Sequence, residues 1–260
     1  MTAATMPTLF LGHGSPLNAI RENAWTRAWG QLGRELPPPR AILSVSAHWY
    51  IPACAVTAMA APRTIHDFGG FPRELYAARY AAPGDPALAR RVRELLAPLP
   101  VALDEGWGLD HGTWAVLCHL YPRAQVPVVQ LSIDAREPPR FHYELGARLR
   151  ALRAEGVLIL GSGDVVHNLR AYAWGERVQE PYEWAVRFEA QVRERLAAGD
   201  HTALVDYGTL GEAARLSVPT AEHYLPLLYV MGASEPGEPV RYPVEGIDGG
   251  SVSMLAVQFG

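Results

Sequence analysis

The chain has 260 residues, 49% of them hydrophobic, which is enough to bury a sizeable core in one domain spanning residues 1–260. Its formal net charge of -4 offers no basic surface, so we expect no nucleic-acid partner. All 23 basic residues are arginine, which excludes chemistry that depends on a lysine Schiff base or a lysine general base.

Short apolar runs recur along the chain, separated by longer segments with helical spacing. Runs of this length without polar alternation are typical of strands that are buried on both faces. Because they alternate with helices, they predict an α/β fold with a central, mainly parallel sheet flanked by helices. In chain order, the predicted strands are "TLFLG", "AILSVSA", "VPVVQLSI", "GVLILGSG" and the closing run "SVSMLAVQF".

Three segments between these runs carry helix signals. In "APGDPALARRVRELL", Asp85 can cap the N-terminus and Pro86 fits the first turn. The segment "HYELGARLRALRAEG" ends in Gly156, which suits a C-terminal cap. A third helix is predicted for "PYEWAVRFEAQVRERLAAGD" from its apolar residues at four-residue spacing.

The lengths of the apolar runs and the number of cysteines bear on the localisation of the protein. No run is long enough to cross a bilayer, and the N-terminus lacks a basic segment followed by an apolar core. We therefore expect a soluble, cytoplasmic protein with no membrane partner. Cys54 and Cys118 are too far apart to suggest a disulfide framework or a cysteine zinc site, and we predict buried thiols. No pattern in the sequence specifies an oligomeric state.

Three of the nine histidines come where a predicted strand ends. His13 follows "TLFLG", His48 ends the segment "AILSVSAH", and His167 follows "VLILGSGDVV". In open α/β sheets, ligands bind outside the carboxyl ends of the strands, so we expect these imidazoles to share a site. We predict that this site, and any metal it binds, lies at the strand carboxyl ends.

A fourth candidate is His223, which we place with Glu222 in the first turn of a helix that Thr220 can cap. Imidazoles from distant parts of a chain suit zinc or iron(II), and they do not suit magnesium or calcium. The motif His-Glu-x-x-His is absent, so spacing alone does not name the metal. The serines in "GHGSP", "GSGD" and "GGSVS" also fail the pattern of a nucleophile elbow.

Eight segments occur in one order along the chain: "GHGSP", "SAHW", "TIHDFGGFPRELY", "YAAPGDPALARRV", "WGLDHGTW", "VPVVQLSID", "GSGDVVHNL" and "EHYLPLLY". This series resembles the class III extradiol ring-cleaving dioxygenases, and most closely their DOPA-dioxygenase-like branch. The resemblance runs from about residue 8 to the C-terminal strand. It implies a single-domain α/β enzyme that holds one metal ion, iron(II) in the active form and often zinc in the isolated protein. The implied substrates are a small catechol-type aromatic diol and O2.

The resemblance also implies roles for five histidines. His13 of "GHGSP", His48 of "SAHW" and His223 of "AEHYLP" match the metal-ligand positions. His167 of "VVHNL" matches a further imidazole at the metal, either as a fourth ligand or as the acid/base residue. His111 of "LDHGTW" matches a position that faces substrate and oxygen, and we expect it to take part in catalysis.

Two details of this expected site involve neighbouring residues. More distant relatives have a glutamate where this chain has His223, so the adjacent Glu222 is an alternative ligand. Because consecutive helical side chains point about 100° apart, only one of the two can face the metal, and we choose His223. We expect Gly12 and Gly14 to keep the backbone around His13 free of side chains, so that metal and substrate can approach.

The expected reaction is extradiol cleavage of a catechol, with His167 accepting a proton from the diol. Zinc has no accessible redox change, so a zinc-filled protein should be inactive. Three alternatives stay open: a zinc-dependent hydrolase, a non-enzymatic metal-binding or interaction protein on the same fold, and a binding module for small aromatic ligands. The arginines are scattered through the sequence, and their positions do not tell which one faces a substrate carboxylate.

Overall fold

Eight strands form one sheet at the centre of the computed structural model, which describes residues 5–175 and 179–260. The order across the sheet is β4-β3-β5-β2-β6-β1-β10-β7, and β8 and β9 form a separate antiparallel pair. The strands are β1 (Thr8–Gly12), β2 (Ala41–Ile51), β3 (Cys54–Thr57), β4 (Val101–Asp104), β5 (Val128–Asp134), β6 (Val157–Gly163), β7 (Val240–Arg241), β8 (Ile247–Asp248), β9 (Val252–Ser253) and β10 (Ala256–Phe259).

The sheet is mainly parallel, which confirms the predicted fold class. β1 runs parallel to β6, and β2 runs parallel to both β5 and β6. Towards one edge β3 is antiparallel to β5, and towards the other β10 is antiparallel to β1 and β7. β3 and β4 were not predicted from the sequence, because runs of four residues carry too little periodicity to be recognised.

Helices lie on both faces of the sheet. They are α1 (Ala24–Glu35), α2 (Arg73–Ala77), α3 (Pro86–Leu95), α4 (His111–Leu120), α5 (Pro139–Leu149), α6 (Ala151–Ala154), α7 (Glu183–Ala197), α8 (His201–Val205), α9 (Glu212–Ser217) and α10 (Leu225–Ala233), with short 3-10 turns at Pro16–Ala19 and Tyr207–Thr209. The predicted cap of α3 is confirmed, because the Asp85 carboxylate accepts hydrogen bonds from the N–H groups of Ala87 and Leu88 at 3.0 and 2.9 Å.

The apolar runs are continuous because the strands that form them, such as β1, β5 and β6, are covered on both sides. In β6, Val157 and Ile159 pack into one hydrophobic cluster, whereas Leu158 and Leu160 pack into the cluster on the opposite face. α10 is buried along its whole length and packs against α5 and β6. The carboxyl ends of β1 and β6 are thereby held side by side in a rigid frame.

The structure bears on two predictions, the lack of a membrane-spanning segment and the burial of the two cysteines. Among the described residues, no helix is both long enough and apolar enough to cross a membrane. Cys54 is buried and Cys118 is half-buried, both as free thiols, and burial raises the pKa of each to about 12. Neither thiol has the low pKa that a reactive cysteine requires.

Candidate metal centre

His13 is the first residue after β1, and hydrogen bonds hold its ring in one orientation. Its backbone N–H donates to the carbonyl of Gly163, at the end of β6, at 3.0 Å. The Ser162 hydroxyl gives its only proton to the Gly112 carbonyl, so Nδ1 of His13 must donate to the Ser162 oxygen, 3.1 Å away. Nε2 of His13 is therefore left with a free lone pair.

His48 lies inside β2, whereas the sequence analysis placed it where the strand ends. β2 advances from Val45 to Tyr50 while its partner β5 advances only from Leu131 to Ile133. His48 falls in this irregular section, where extra residues bend the strand and change the direction of the side chain. Its Nε2 lies 3.1 Å from Nε2 of His13.

His223 lies in the turn before α10, not in the first turn of the helix as predicted. The helix begins at Leu225 because Pro226, which has no N–H, fits the first turn. Thr220 does not cap it. The Thr220 hydroxyl instead donates to Oε1 of Glu222 at 2.7 Å, and the same oxygen lies 3.2 Å from Nδ1 of His223. The Glu222 carboxylate thus orients the His223 ring.

Asp67 lies between His48 and His111, and the sequence analysis did not single it out. Its Oδ2 is 3.3 Å from Nδ1 of His48 and 3.0 Å from Nδ1 of His111, although neither contact is aligned as a hydrogen bond. Its Oδ1 accepts the backbone N–H of His111 at 2.9 Å. Burial alone would raise the pKa of Asp67, but the contacts with His111 and His48 lower it to about 2.

His13, His48 and His223 form the group that fits a metal ion. Each offers a ligand atom, and these atoms lie within 4.8 Å of one another. The 3.1 Å between the Nε2 atoms of His13 and His48 is close to the roughly 3.3 Å that separates two nitrogens bound to one tetrahedral zinc ion. Each Nδ1 faces an oxygen of another side chain, as is usual for histidines that bind metals.

Burial keeps these three imidazoles neutral. Burial and the neighbouring histidines lower the pKa of His13 and of His223 well below the usual value. The pKa of His48 falls to about 3, mainly through burial and the proximity of His111, against the raising effect of Asp67. Metal ions bind the neutral imidazole, so the donor set and its protonation state both fit a borderline transition metal.

His167 lies beside this group. Its ring stacks on that of His223, with 3.5 Å between the ring centroids and 10° between the planes. It shares a possible ligand group with Asp164 and His223, but not with His13 and His48. Burial lowers the pKa of His167 to about 4, so its imidazole is neutral near pH 7 and able to accept a proton.

Asp164 is a second residue that the sequence analysis missed, although it follows β6 directly. Its Oδ1 accepts the backbone N–H of Gly14 at 3.0 Å. Its Oδ2 is buried without a hydrogen-bond partner and lies 3.5 Å from Nε2 of His13. Burial raises the pKa of Asp164 well above the usual value. A polar side chain at the carboxyl end of a strand was the only signal that could have indicated it.

Gly12 and Gly14 have a different role from the one predicted. A Cβ on Gly12 would lie 2.4 Å from the carbonyl oxygen of Ser253, so the missing side chain lets β1 approach the segment before β10. Gly14 has φ of +58°, and its Cβ would lie 2.5 Å from the sulfur of Met254. Both glycines permit close contacts within the protein instead of leaving space for metal and substrate.

Gly163 brings the His223 segment against β6, and its substitution should disturb the site. A Cβ there would lie 2.1 Å from the carbonyl oxygen of His223, which also accepts the N–H of Asp164. We expect Gly163→Ala to destabilise the metal-free protein by about 1–3 kcal/mol, the usual cost of overpacking. Thermal unfolding measures the loss of stability. The control variant is Gly208→Ala, whose Cβ would meet nothing within 4 Å. Equal unfolding temperatures for the two variants would contradict the expected clash.

The chain is similar to proteins of one known family. Residues 7–242, which include all five clustered histidines, match the model of the family described as the catalytic LigB subunit of aromatic ring-opening dioxygenase. An Escherichia coli K12 protein named 4,5-DOPA dioxygenase extradiol is 54% identical over 265 residues, covering 100% of this chain and 97% of that relative. A Beta vulgaris protein of the same name is 36% identical, covering 97% of this chain and 96% of the relative.

A solved structure is similar over almost the whole chain. It is the crystal structure of an uncharacterized protein from Escherichia coli K12, with 49% sequence identity and a TM-score of 0.86. The match covers 98% of this chain and 100% of that one. The two proteins therefore share this fold over almost their whole length.

Proposed function

This chain belongs to the family of the catalytic LigB subunit of aromatic ring-opening dioxygenase, and from that premise we propose that it is an extradiol dioxygenase that opens the ring of a catechol with O2. The observation that carries the proposal is the convergence of three neutral imidazoles, His13, His48 and His223, with two further histidines beside them. The names of the relatives favour a DOPA-like diol as the substrate. A cytoplasmic location stays a prediction from the sequence.

The residues that would hold the metal are His13, His48 and His223. Iron(II) bound there would supply positive charge that makes the diol more acidic and the redox change that the reaction with O2 requires. Zinc fits the same donors without a redox change, so we propose iron(II) in the active protein and zinc in preparations that have lost it. Glu222 acts through His223, because its carboxylate faces Nδ1 of that ring.

His167 accepts a proton from the diol. It stacks on His223 without joining the group of three, so its ring lies at the site with its own nitrogens available. A catechol would have to lose a proton before both of its oxygens could bind a metal held by the three histidines. General-base catalysis of such a proton transfer raises the rate by about 10²–10⁴-fold.

His111 lies next to His48, where it faces substrate and oxygen. The His48 and His111 ring centroids are 3.9 Å apart, and Asp67 holds the backbone of His111 and contacts its Nδ1. The ring of Phe68 meets His111 edge to face at 5.4 Å, and His111 is buried. In this environment His111 can donate a hydrogen bond to negative charge that develops on the reacting oxygens.

The test of the function is activity as a function of metal. Metal-free protein is divided into two portions, one loaded anaerobically with iron(II) and the other with zinc, and both receive a catechol and O2. We expect a yellow ring-opened product and O2 uptake only with iron. Hydrolysis of a catechol ester by the zinc form in the absence of O2 would identify a zinc hydrolase, and turnover of neither the catechol nor the ester by either form would identify a non-enzymatic protein.

Asp67→Asn should weaken the metal site without removing a ligand. The substitution removes the negative charge beside Nδ1 of His48 and of His111, and loss of such supporting contacts lowers metal affinity by about 10–100-fold. Competition with a chelator measures the affinity. Glu144→Gln, which removes an exposed charge on α5, should leave it unchanged. Wild-type affinity in Asp67→Asn would contradict the role given to Asp67.

A further inference from the structure

A cavity of about 270 Å³ opens beside His167. The residues that line it include His167, Asn168, Arg170, Thr220 and Glu222. Its volume is close to the lower end of the ~300–1,000 Å³ that is usual for ligand pockets. A catechol held at the histidine cluster next to His167 would therefore have this cavity available for its ring substituent.

The charged groups of the cavity differ in their availability. Oε1 of Glu222 already contacts the Thr220 hydroxyl and Nδ1 of His223, so this carboxylate is committed to the metal site. The guanidinium of Arg170 makes no hydrogen bond or ion pair with any residue in the described ranges, 5–175 and 179–260. Arg170 is thus the cationic group of the wall that can bind a ligand.

The backbone around Arg170 is well held, although its side chain is exposed. Its N–H donates to Oδ1 of Asn168 at 3.1 Å, and the amide Nδ2 of Asn168 donates to the carbonyl of Leu216 at 2.8 Å. The Asn168 carbonyl in turn accepts the hydroxyl of Ser251 at 2.9 Å. Because Asn168 is anchored on both sides, the start of the Arg170 side chain is fixed relative to His167 while its end is free to reach a ligand.

We propose that Arg170 binds a carboxylate on the substituent of the catechol and makes the enzyme prefer carboxylate-bearing catechols over uncharged ones. The planar guanidinium matches a carboxylate with two parallel N–H···O hydrogen bonds, which an ammonium group cannot reproduce. The chain contains no lysine that could substitute for it. This inference rests on the proposed function, because it takes the histidine cluster as the place where the diol binds.

The test compares two catechols that differ in charge and little in size, dihydrocaffeic acid and its methyl ester, with the iron(II)-loaded enzyme. Arg170→Gln should raise KM for the acid about tenfold, leave kcat within about twofold, and leave KM for the ester unchanged. Arg170→Lys should recover part of the affinity for the acid. Arg90→Gln, an exposed arginine on α3 without an ion pair in the described residues, should match the wild type with both compounds.

Charge reversal provides an independent readout. Arg170→Glu should raise KM for dihydrocaffeic acid further than Arg170→Gln does. It should lower KM for dopamine, whose substituent carries an ammonium group. Equal effects of Arg170→Gln on acid and ester, or no effect on the acid, would overturn the assignment.

Failure of the proposed function can be told apart from failure of this inference. If the wild type cleaves neither compound, the proposed function fails. Anaerobic calorimetry of the same two compounds then decides the inference. Tighter binding of the acid that is lost in Arg170→Gln supports it, and equal binding of acid and ester overturns it.

Discussion

His13→Ala and His48→Ala should each retain less than about one tenth of the wild-type metal and lose ring-opening activity to the same extent. The reason is geometric: the Nε2 atoms of these rings lie 3.1 Å apart, and among residues 5–175 and 179–260 the ligand group consists of these two and His223 alone. Metal analysis of protein purified in parallel and then incubated with equimolar iron(II) measures the effect.

A matched control removes an imidazole elsewhere. His201→Gln changes a histidine on α8 that bonds the hydroxyl of Tyr143, away from the cluster, and should keep full metal content. Unfolding curves of the metal-free proteins show whether the alanine variants still fold. Full metal content in both His13→Ala and His48→Ala would refute the assignment of these two ligands.

His167→Gln should keep most of the iron and lose about 10²–10⁴-fold in the rate of a single turnover, because it removes a proton acceptor and not one of the three converging ligands. Iron content and catechol cleavage are measured on the same sample. Glutamine keeps much of the size of the imidazole, so the stacking partner of His223 is not replaced by an empty space.

Two outcomes would contradict the role proposed for His167. Recovery of the rate when excess iron(II) is added would make His167 a ligand, because the defect would then lie in metal binding. A wild-type rate at full iron occupancy would eliminate the catalytic role.

The strands that carry the site were predictable because β1 and β6 are buried on both faces and read as continuous apolar runs. His13 follows β1 directly, and His167 comes four residues after β6, so the rule for carboxyl ends of parallel strands applies to both. His48 was identified by the same reasoning but placed at a strand end. The irregular pairing of β2 with β5 that positions it depends on residues far away in the chain.

The supporting residues were harder to foresee. Asp67 comes to His111 from a loop 44 positions earlier, and no local spacing connects the two. Asp164 follows a strand but belongs to no recognisable metal motif. Thr220 looked like a helix cap because its residue type favours that position, whereas Pro226 decides where α10 begins. Asp67 and Asp164 thus depend on tertiary contacts, whereas the error at Thr220 came from weighing two local signals, a cap residue and a proline.

Isotope labelling shows whether both oxygen atoms of O2 enter the ring-opened product. The iron(II)-loaded protein converts a catechol under isotopically labelled O2, the aldehyde of the product is reduced at once to prevent exchange with water, and the product is analysed by mass spectrometry. We expect a product whose ring is opened beside the diol and that contains both labelled oxygen atoms, with one O2 consumed for each product molecule. A ring-opened product that carries no label, or one that forms without O2, would contradict the proposed function.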